Sequence, residues 1–172
     1  MPRENLQPPF QVFRFQVDFN EDPLDGAEGE AVPLCSGAFA ECSGFEASME
    51  AKVIEEGGNN YGAPQRAGPV SFATVILKRG MTPSQHLWQW FELVSGGAYA
   101  QRLSATITVF DQAGNGVFAW KLRHALPVKF KAADLDAGGT EVGVEELHLA
   151  HEGLSQLRPP PLASLYNREA GS

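Results

Sequence analysis

The sequence has no apolar run near the roughly 20 residues that a membrane-crossing helix requires, so the chain is not expected to span a bilayer. Basic residues are also scarce: 13 Lys and Arg stand against 21 Asp and Glu, for a net charge of −8. Binding to nucleic-acid backbones or anionic membranes needs Lys and Arg at the contact, and this balance argues against both. The opening stretch, Met1 to Pro9, is polar and lacks the apolar core of a secretory signal, which points to synthesis in the cytosol. Only Cys35 and Cys42 could form a disulfide, and two free thiols are expected in such a chain.

Chemistry-bearing motifs are missing as well. There is no Gly-x-Ser-x-Gly nucleophile turn, and neither a Gly-x-Gly-x-x-Gly nor a Gly-Lys-Ser/Thr phosphate loop. His86, His124, His148 and His151 do not pair with Cys, Asp or Glu at zinc or iron spacing, so neither a metal nor any other cofactor is expected. Glu145 and Glu146 are neighbours on a strand-like stretch and would face opposite ways, which rules out a shared acid/base role. No catalytic residue is assigned.

What the chain does contain is alternation. Phe13, Phe15, Val17 and Phe19 share one parity against Arg14, Gln16 and Asp18, the pattern of a half-buried strand over Phe10 to Phe19. An acidic stretch at 20–37 then reads as a solvated loop. Further strands are expected over Phe39 to Ser43, Ala47 to Glu55, Val70 to Lys78, Ser104 to Phe110, Val117 to Ala125, Val128 to Lys131 and Val142 to His151. The Ala47 to Glu55 strand has only a modest apolar face. Apolar residues on both parities of Val70 to Lys78 suggest a strand covered on both sides.

Residues 56–68 are rich in Gly, Asn and Pro and read as loop, and Asp111 to Gly116 reads as a hairpin connection in front of inward-facing Phe118, Trp120 and Leu122. In the last strand the apolar parity switches between Val144 and Leu147, which implies either a bulge at Glu145–Glu146 or cover on both faces. Beyond Gly153, with Pro159, Pro160 and Pro161 and a polar tail, an extended or disordered end is expected. One helix stands out. Thr82 is its expected cap, Pro83 its first residue and Gln85 the partner in a capping box, with Leu87, Trp90, Phe91 and Val94 on its apolar face and Gly96–Gly97 at its end. Trp88, Trp90 and Phe91 are read as packing residues. The expected fold is mostly β: two packed antiparallel sheets forming a small barrel or sandwich with one flanking helix, as a single domain over 1–157 followed by the tail 158–172.

Several stretches occur in an order that resembles the phage tail tube protein family, the inner-tube subunits of contractile tails and related injection systems. They are Phe39-Ala-Glu-Cys-Ser-Gly-Phe45, Glu56-Gly-Gly-Asn59, Leu77-Lys-Arg-Gly-Met-Thr82 leading into the Trp-containing helix, and the Asp111–Gly114 turn. Trp120, Ala125 to Lys129, and Val144 to Leu154 complete the series, which covers roughly Phe10 to Leu154. The acidic 20–37 insertion and the proline-rich tail depart from the family pattern.

The resemblance implies hexameric rings stacked into a hollow tube, with the protein itself, sheath subunits, and baseplate or spike proteins as partners. It implies cargo or DNA passing through the lumen without sequence-specific binding. Within that frame Glu56, Gly57, Gly58, Asn59 and Asn60 are the candidate ring-stacking loop. Two polar parities compete for the lumen wall: Ser48, Glu50 and Lys52, or Ser104, Thr106 and Thr108. A tube initiator or adaptor of the same machine is the alternative role, and a lipocalin-like ligand-binding barrel is the alternative of another class. The resemblance also implies assembly in a bacterial cytoplasm into a virion tail or injection particle.

Overall fold

The computed structural model describes residues 14–23, 29–32, 39–55, 57–58, 61–97 and 102–157. Its first strand, β1 (Arg14–Glu21), buries Val17 and Phe19 and exposes Arg14, Gln16 and Asp18, as the alternation requires. A short strand, β2 (Ala31–Val32), pairs with its end, so part of the acidic stretch expected as loop is ordered against the sheet. Next come β3 (Glu41–Ser43), β4 (Ala47–Val53), β5 (Gln65–Phe72), β6 (Val75–Gly80), the helix α1 (His86–Ser95), β7 (Leu103–Phe110), β8 (Gly116–Lys131), β9 (Val144–Ala150) and β10 (Gly153–Leu157).

Two antiparallel layers share β8. Its first half lies between β7 and β10, with Leu122 opposite both Ala105 and Leu154. Its second half pairs with β9, which continues through β6 to β3. The chain turns the corner at His124, whose φ is +49°, and at buried Pro127, where the β8–β9 register shifts. Val117–Ala125 and Val128–Lys131, expected as separate strands, are therefore one bent strand. The layers are sandwich-like and do not close into a barrel. Between them Val17, Phe19, Val75, Leu77, Ile107, Leu122, Leu147 and Leu149 fill the interior with α1 residues Leu87, Trp90 and Val94. An unclosed sheet over an interior filled with side chains does not support the lipocalin-like alternative.

The helix starts later than its expected cap. Gln85 stands at the N-cap without a side-chain bond, and the first turn closes when the Gln89 N–H donates to the Gln85 carbonyl. Residues 81–85 are held otherwise, because the Ser84 carbonyl accepts a hydrogen bond from the buried Arg79 guanidinium at 3.2 Å. At the far end Gly97 takes φ +107° and its N–H reaches the Val94 carbonyl. Trp90 meets the Phe19 ring edge-on at 5.6 Å, while Trp88 stays 44% exposed beside Phe130.

Arg79 explains the parity switch in the last strand. It is 1% exposed on the same parity as Val75 and Leu77, and its Nε donates to Glu145 at 3.1 Å. Glu145 shares the inward parity of Leu147 and Leu149, so β9 has no bulge at the glutamate pair; the irregularity lies in β8 instead. The expected long strand Val70 to Lys78 is also broken. β5 ends at Phe72 and β6 begins at Val75, because the chain there passes from one sheet to another.

Candidate assembly surfaces

β4 and β5 form a two-stranded ribbon outside the sandwich, and every residue of β4 is exposed. Its register puts Ala47 opposite Phe72, Met49 opposite Val70 and Ala51 opposite Ala67, with a bulge between Met49 and Ala51. One face is therefore apolar, yet Met49 is 56%, Val53 58% and Val70 47% exposed. Apolar residues at this density on an uncovered face mark an interaction surface. The other face carries Ser48 and Ser71, whose hydroxyls are 2.9 Å apart, then Glu50, Lys52 and Arg66. Gly68 is required here: a Cβ would meet the Glu50 carbonyl oxygen at 2.0 Å.

The ribbon closes where the Ile54 N–H donates to the Pro64 carbonyl. Of the five stacking candidates, Gly57 and Gly58 form an exposed turn at the tip, Gly58 with φ +99°, while Glu56, Asn59 and Asn60 lie outside the described residues. Residues 65–68, expected as loop, belong to β5. At its base the ribbon is tied to the sandwich by Ala73 N–H to Glu46 carbonyl and by His151. Both His151 ring nitrogens face carbonyl oxygens, of Gly153 at 3.0 Å and of Ala73 at 3.1 Å.

A second surface is the outer face of the sheet β1-β7-β8-β10. Gln16, Thr108, Ala119 and Leu157 form one row across it, and Asp18, Thr106, Lys121 and Ser155 the next. The face is mostly polar: Ser104, Thr106, Thr108, Ala119 and Ser155 are small, and Arg14, Gln16, Lys121 and Arg123 are long. Thr106 and Thr108 are half-buried and Ser104 is 7% exposed beneath their row. The two candidate lumen sets therefore lie on different objects: Ser104, Thr106 and Thr108 on a broad sheet, Ser48, Glu50 and Lys52 on the narrow ribbon.

That sheet has two open edges among the described residues. β10 pairs only with β8, and β2 covers β1 only at Phe19 and Asn20. Arg14–Asp18 and Gly153–Leu157 are thus unpaired edges of equal length. β10 itself was expected as extended tail. Of its two leucines, Leu154 packs partly buried against the core and Leu157 is 42% exposed.

Near the β10 end the Nδ1 of His124 lies 2.8 Å from Glu152, and Arg102 pairs with the same carboxylate. The hydrogen bond with His124, then that with Arg102, hold Glu152 below the usual carboxylate range. The thiol of Cys42 is free and half-buried, and burial followed by the neighbouring Glu41 charge pushes it up to about 12, which keeps it protonated and unreactive. Cys35 lies outside the described residues. No helix among the described residues is long and apolar enough to cross a membrane.

The family model for the T4-like virus tail tube protein gp19 matches residues 11–155. No curated protein sequence matches the chain. Among solved structures, a chain of the anti-feeding prophage baseplate, 6-fold symmetrised, is 27% identical at a TM-score of 0.72, covering 89% of this chain and 98% of that one. A chain of the PVC sheath-tube complex, an extracellular contractile injection system in its extended state, is 20% identical at a TM-score of 0.71 over 90% and 95%. The SPP1 tail tube has the same fold at 13% identity and a TM-score of 0.54, over 95% and 87%.

Proposed function

The chain belongs to the tail tube protein family of T4-like viruses, and from that premise we propose that six copies close into a ring and that rings stack into the hollow inner tube of a contractile injection machine. The observation that carries this reading is the pair of open edges on one polar sheet. Strand direction alternates across β1-β7-β8-β10, so β10 of one copy meets β1 of the next in antiparallel sense and the sheet continues without interruption. Each edge is used once, which is a head-to-tail interface that closes by rotation. The edges are thereby protected from uncontrolled pairing.

Continuing that sheet around a ring turns its outer face to the lumen, with Ser104, Thr106 and Thr108 in the wall and Arg14, Asp18, Lys121 and Arg123 as its charges. Small hydroxyl side chains among charges of both signs let cargo or DNA pass without sequence-specific contact. The ribbon, with Ser48, Glu50 and Lys52, then belongs to ring stacking along with the tip at Glu56, Gly57, Gly58, Asn59 and Asn60. Sheath and baseplate proteins are the outer and terminal partners, assembly takes place in a bacterial cytoplasm, and no catalytic step is assigned.

A second reading, a tube initiator or adaptor next to the baseplate, is favoured by the 27% identity to a chain of a baseplate assembly, against 20% for the sheath-tube chain. Negative-stain microscopy and sedimentation of the purified chain separate the two. Long tubes of stacked six-fold rings support the tube subunit, single rings support the initiator, and a monomer at all concentrations defeats both.

A further inference from the structure

Between the start of α1, the ends of β6 and β8 and the start of β9 lies an open cavity of about 480 Å³. Trp88 and Phe130 form its apolar wall, their rings edge-on at 5.5 Å. Arg79, Glu145, Ser84 and Gln85 supply its polar part. Its volume falls within the span of small-ligand pockets, about 300–1,000 Å³.

Arg79 is 1% exposed, and only two of its three guanidinium nitrogens are engaged: Nε donates to Glu145 at 3.1 Å and Nη2 to the Ser84 carbonyl at 3.2 Å. Nη1 is shut off from solvent and has no acceptor among the described residues. A buried donor left without an acceptor costs free energy that an oxygen seated against the guanidinium recovers. Glu145 bonds Arg79 through Oε2, which leaves its Oε1 to accept from another group. The start of α1 adds donors of its own. The Gln85 side chain makes no capping bond and no acidic residue stands in the first turn, so the first N–H groups and the positive end of the helix are uncompensated. The two features meet at Ser84, whose carbonyl Arg79 holds.

Charge selects the ligand. Arg79 and Glu145 already neutralise each other, so an added carboxylate faces the Glu145 carboxylate with only the helix end to offset the repulsion. An amide meets no such repulsion: its carbonyl accepts from Arg79 or from the first N–H groups of α1, and its N–H donates to Glu145. We propose that this cavity is a binding site for an amide group carried on a flat apolar body that lies against Trp88 and Phe130. That chemistry comes from a free aromatic amide, or from an Asn or Gln side chain set beside an apolar residue on a neighbouring protein chain. The site is independent of the tube reading, since every group that forms it belongs to one subunit.

Benzamide and benzoate differ only in the group that enters the polar part, and both are titrated into the full chain by NMR. Benzamide shifts the backbone signals of residues 84–88 and the Trp88 indole N–H saturably, while benzoate binds at least about tenfold more weakly. Trp88→Ala, at a half-exposed position, weakens benzamide binding at least about fivefold. Arg79→Met with Glu145→Leu keeps the sandwich filled and removes the polar floor, so benzamide loses its advantage over benzoate. No saturable shift with benzamide, shifts confined to other parts of the molecule, benzoate binding as tightly as benzamide, or a double variant that keeps the full preference each overturn the inference. Saturation transfer to benzamide from assembled protein then separates the two sources. It persists where the amide is a free molecule and vanishes where a neighbouring chain's amide fills the cavity. A chain that forms no rings or tubes defeats the tube reading and leaves the benzamide result standing.

Discussion

β4 and β6 are both antiparallel strands with apolar residues on their odd-numbered positions, yet Val75 and Leu77 are 0% exposed while Met49 and Val53 are more than half exposed. The difference lies outside the strands. β6 has hydrogen-bonded neighbours on both sides and a second layer beneath it, whereas β4 has only β5. Alternation thus marks which residues share a face, and neighbouring elements decide whether that face is buried. An isolated two-stranded ribbon is marginal in water, so the subunit carries one region whose apolar face is covered and one whose apolar face is not.

The largest expected effect falls on the complete region. Arg79→Ala leaves Glu145 half-orphaned in the sandwich and costs about 3–5 kcal/mol, read from denaturant unfolding; the double replacement Arg79→Met with Glu145→Leu costs far less. Leu77→Ala comes next, at about 2–5 kcal/mol for a fully buried side chain on the same strand. Equal losses from Met49→Ala would erase the contrast between the two strands.

Acidification has a smaller effect and also acts on the sandwich. Glu152, beside His124, and Asp111, which accepts the Asn115 N–H at 2.9 Å, are both held below their ordinary values. Groups depressed in the folded state contribute stability above their unfolded values, near pH 4, that is lost as the pH falls through the lowered ones. The thermal midpoint therefore drops between about pH 5 and pH 3, and Glu152→Gln with Asp111→Asn flattens that slope. The smallest change in the dispersed protein comes from the ribbon. Met49→Ser with Val70→Ser shifts its stability by no more than about 0.5 kcal/mol while preventing long tubes.

Much of this was legible from residue patterns. Alternation located β1, β7 and β9, and the apolar spacing of Leu87, Trp90 and Val94 located the helix face. The helix start was misplaced because the Ser84 carbonyl is engaged by Arg79, a contact between residues that alternation cannot pair. Glu145 looked like a parity defect for the same reason: its inward direction makes sense only with the guanidinium across the ladder. β10 was hidden by Gly153 and by the spacing of Leu154 and Leu157, three apart with only Leu154 packed on the core, which gives no period of two. Residues 65–68 looked like loop because Gly68 signals a turn, whereas the glycine is there for close approach to the Glu50 carbonyl. The ribbon's exposed apolar face followed from its weak pattern, but its cross-strand Lys52–Arg66 pair depended on a bulge that no spacing rule anticipates.

Amide hydrogen exchange across residues 47–72, measured on dispersed and on assembled protein, tests most directly whether the ribbon is completed by another copy. The account predicts ribbon amides that exchange quickly in the dispersed subunit and slow strongly on assembly, while those of β6 and β9 are slow in both. Ribbon exchange that is equally fast in rings or tubes would contradict it.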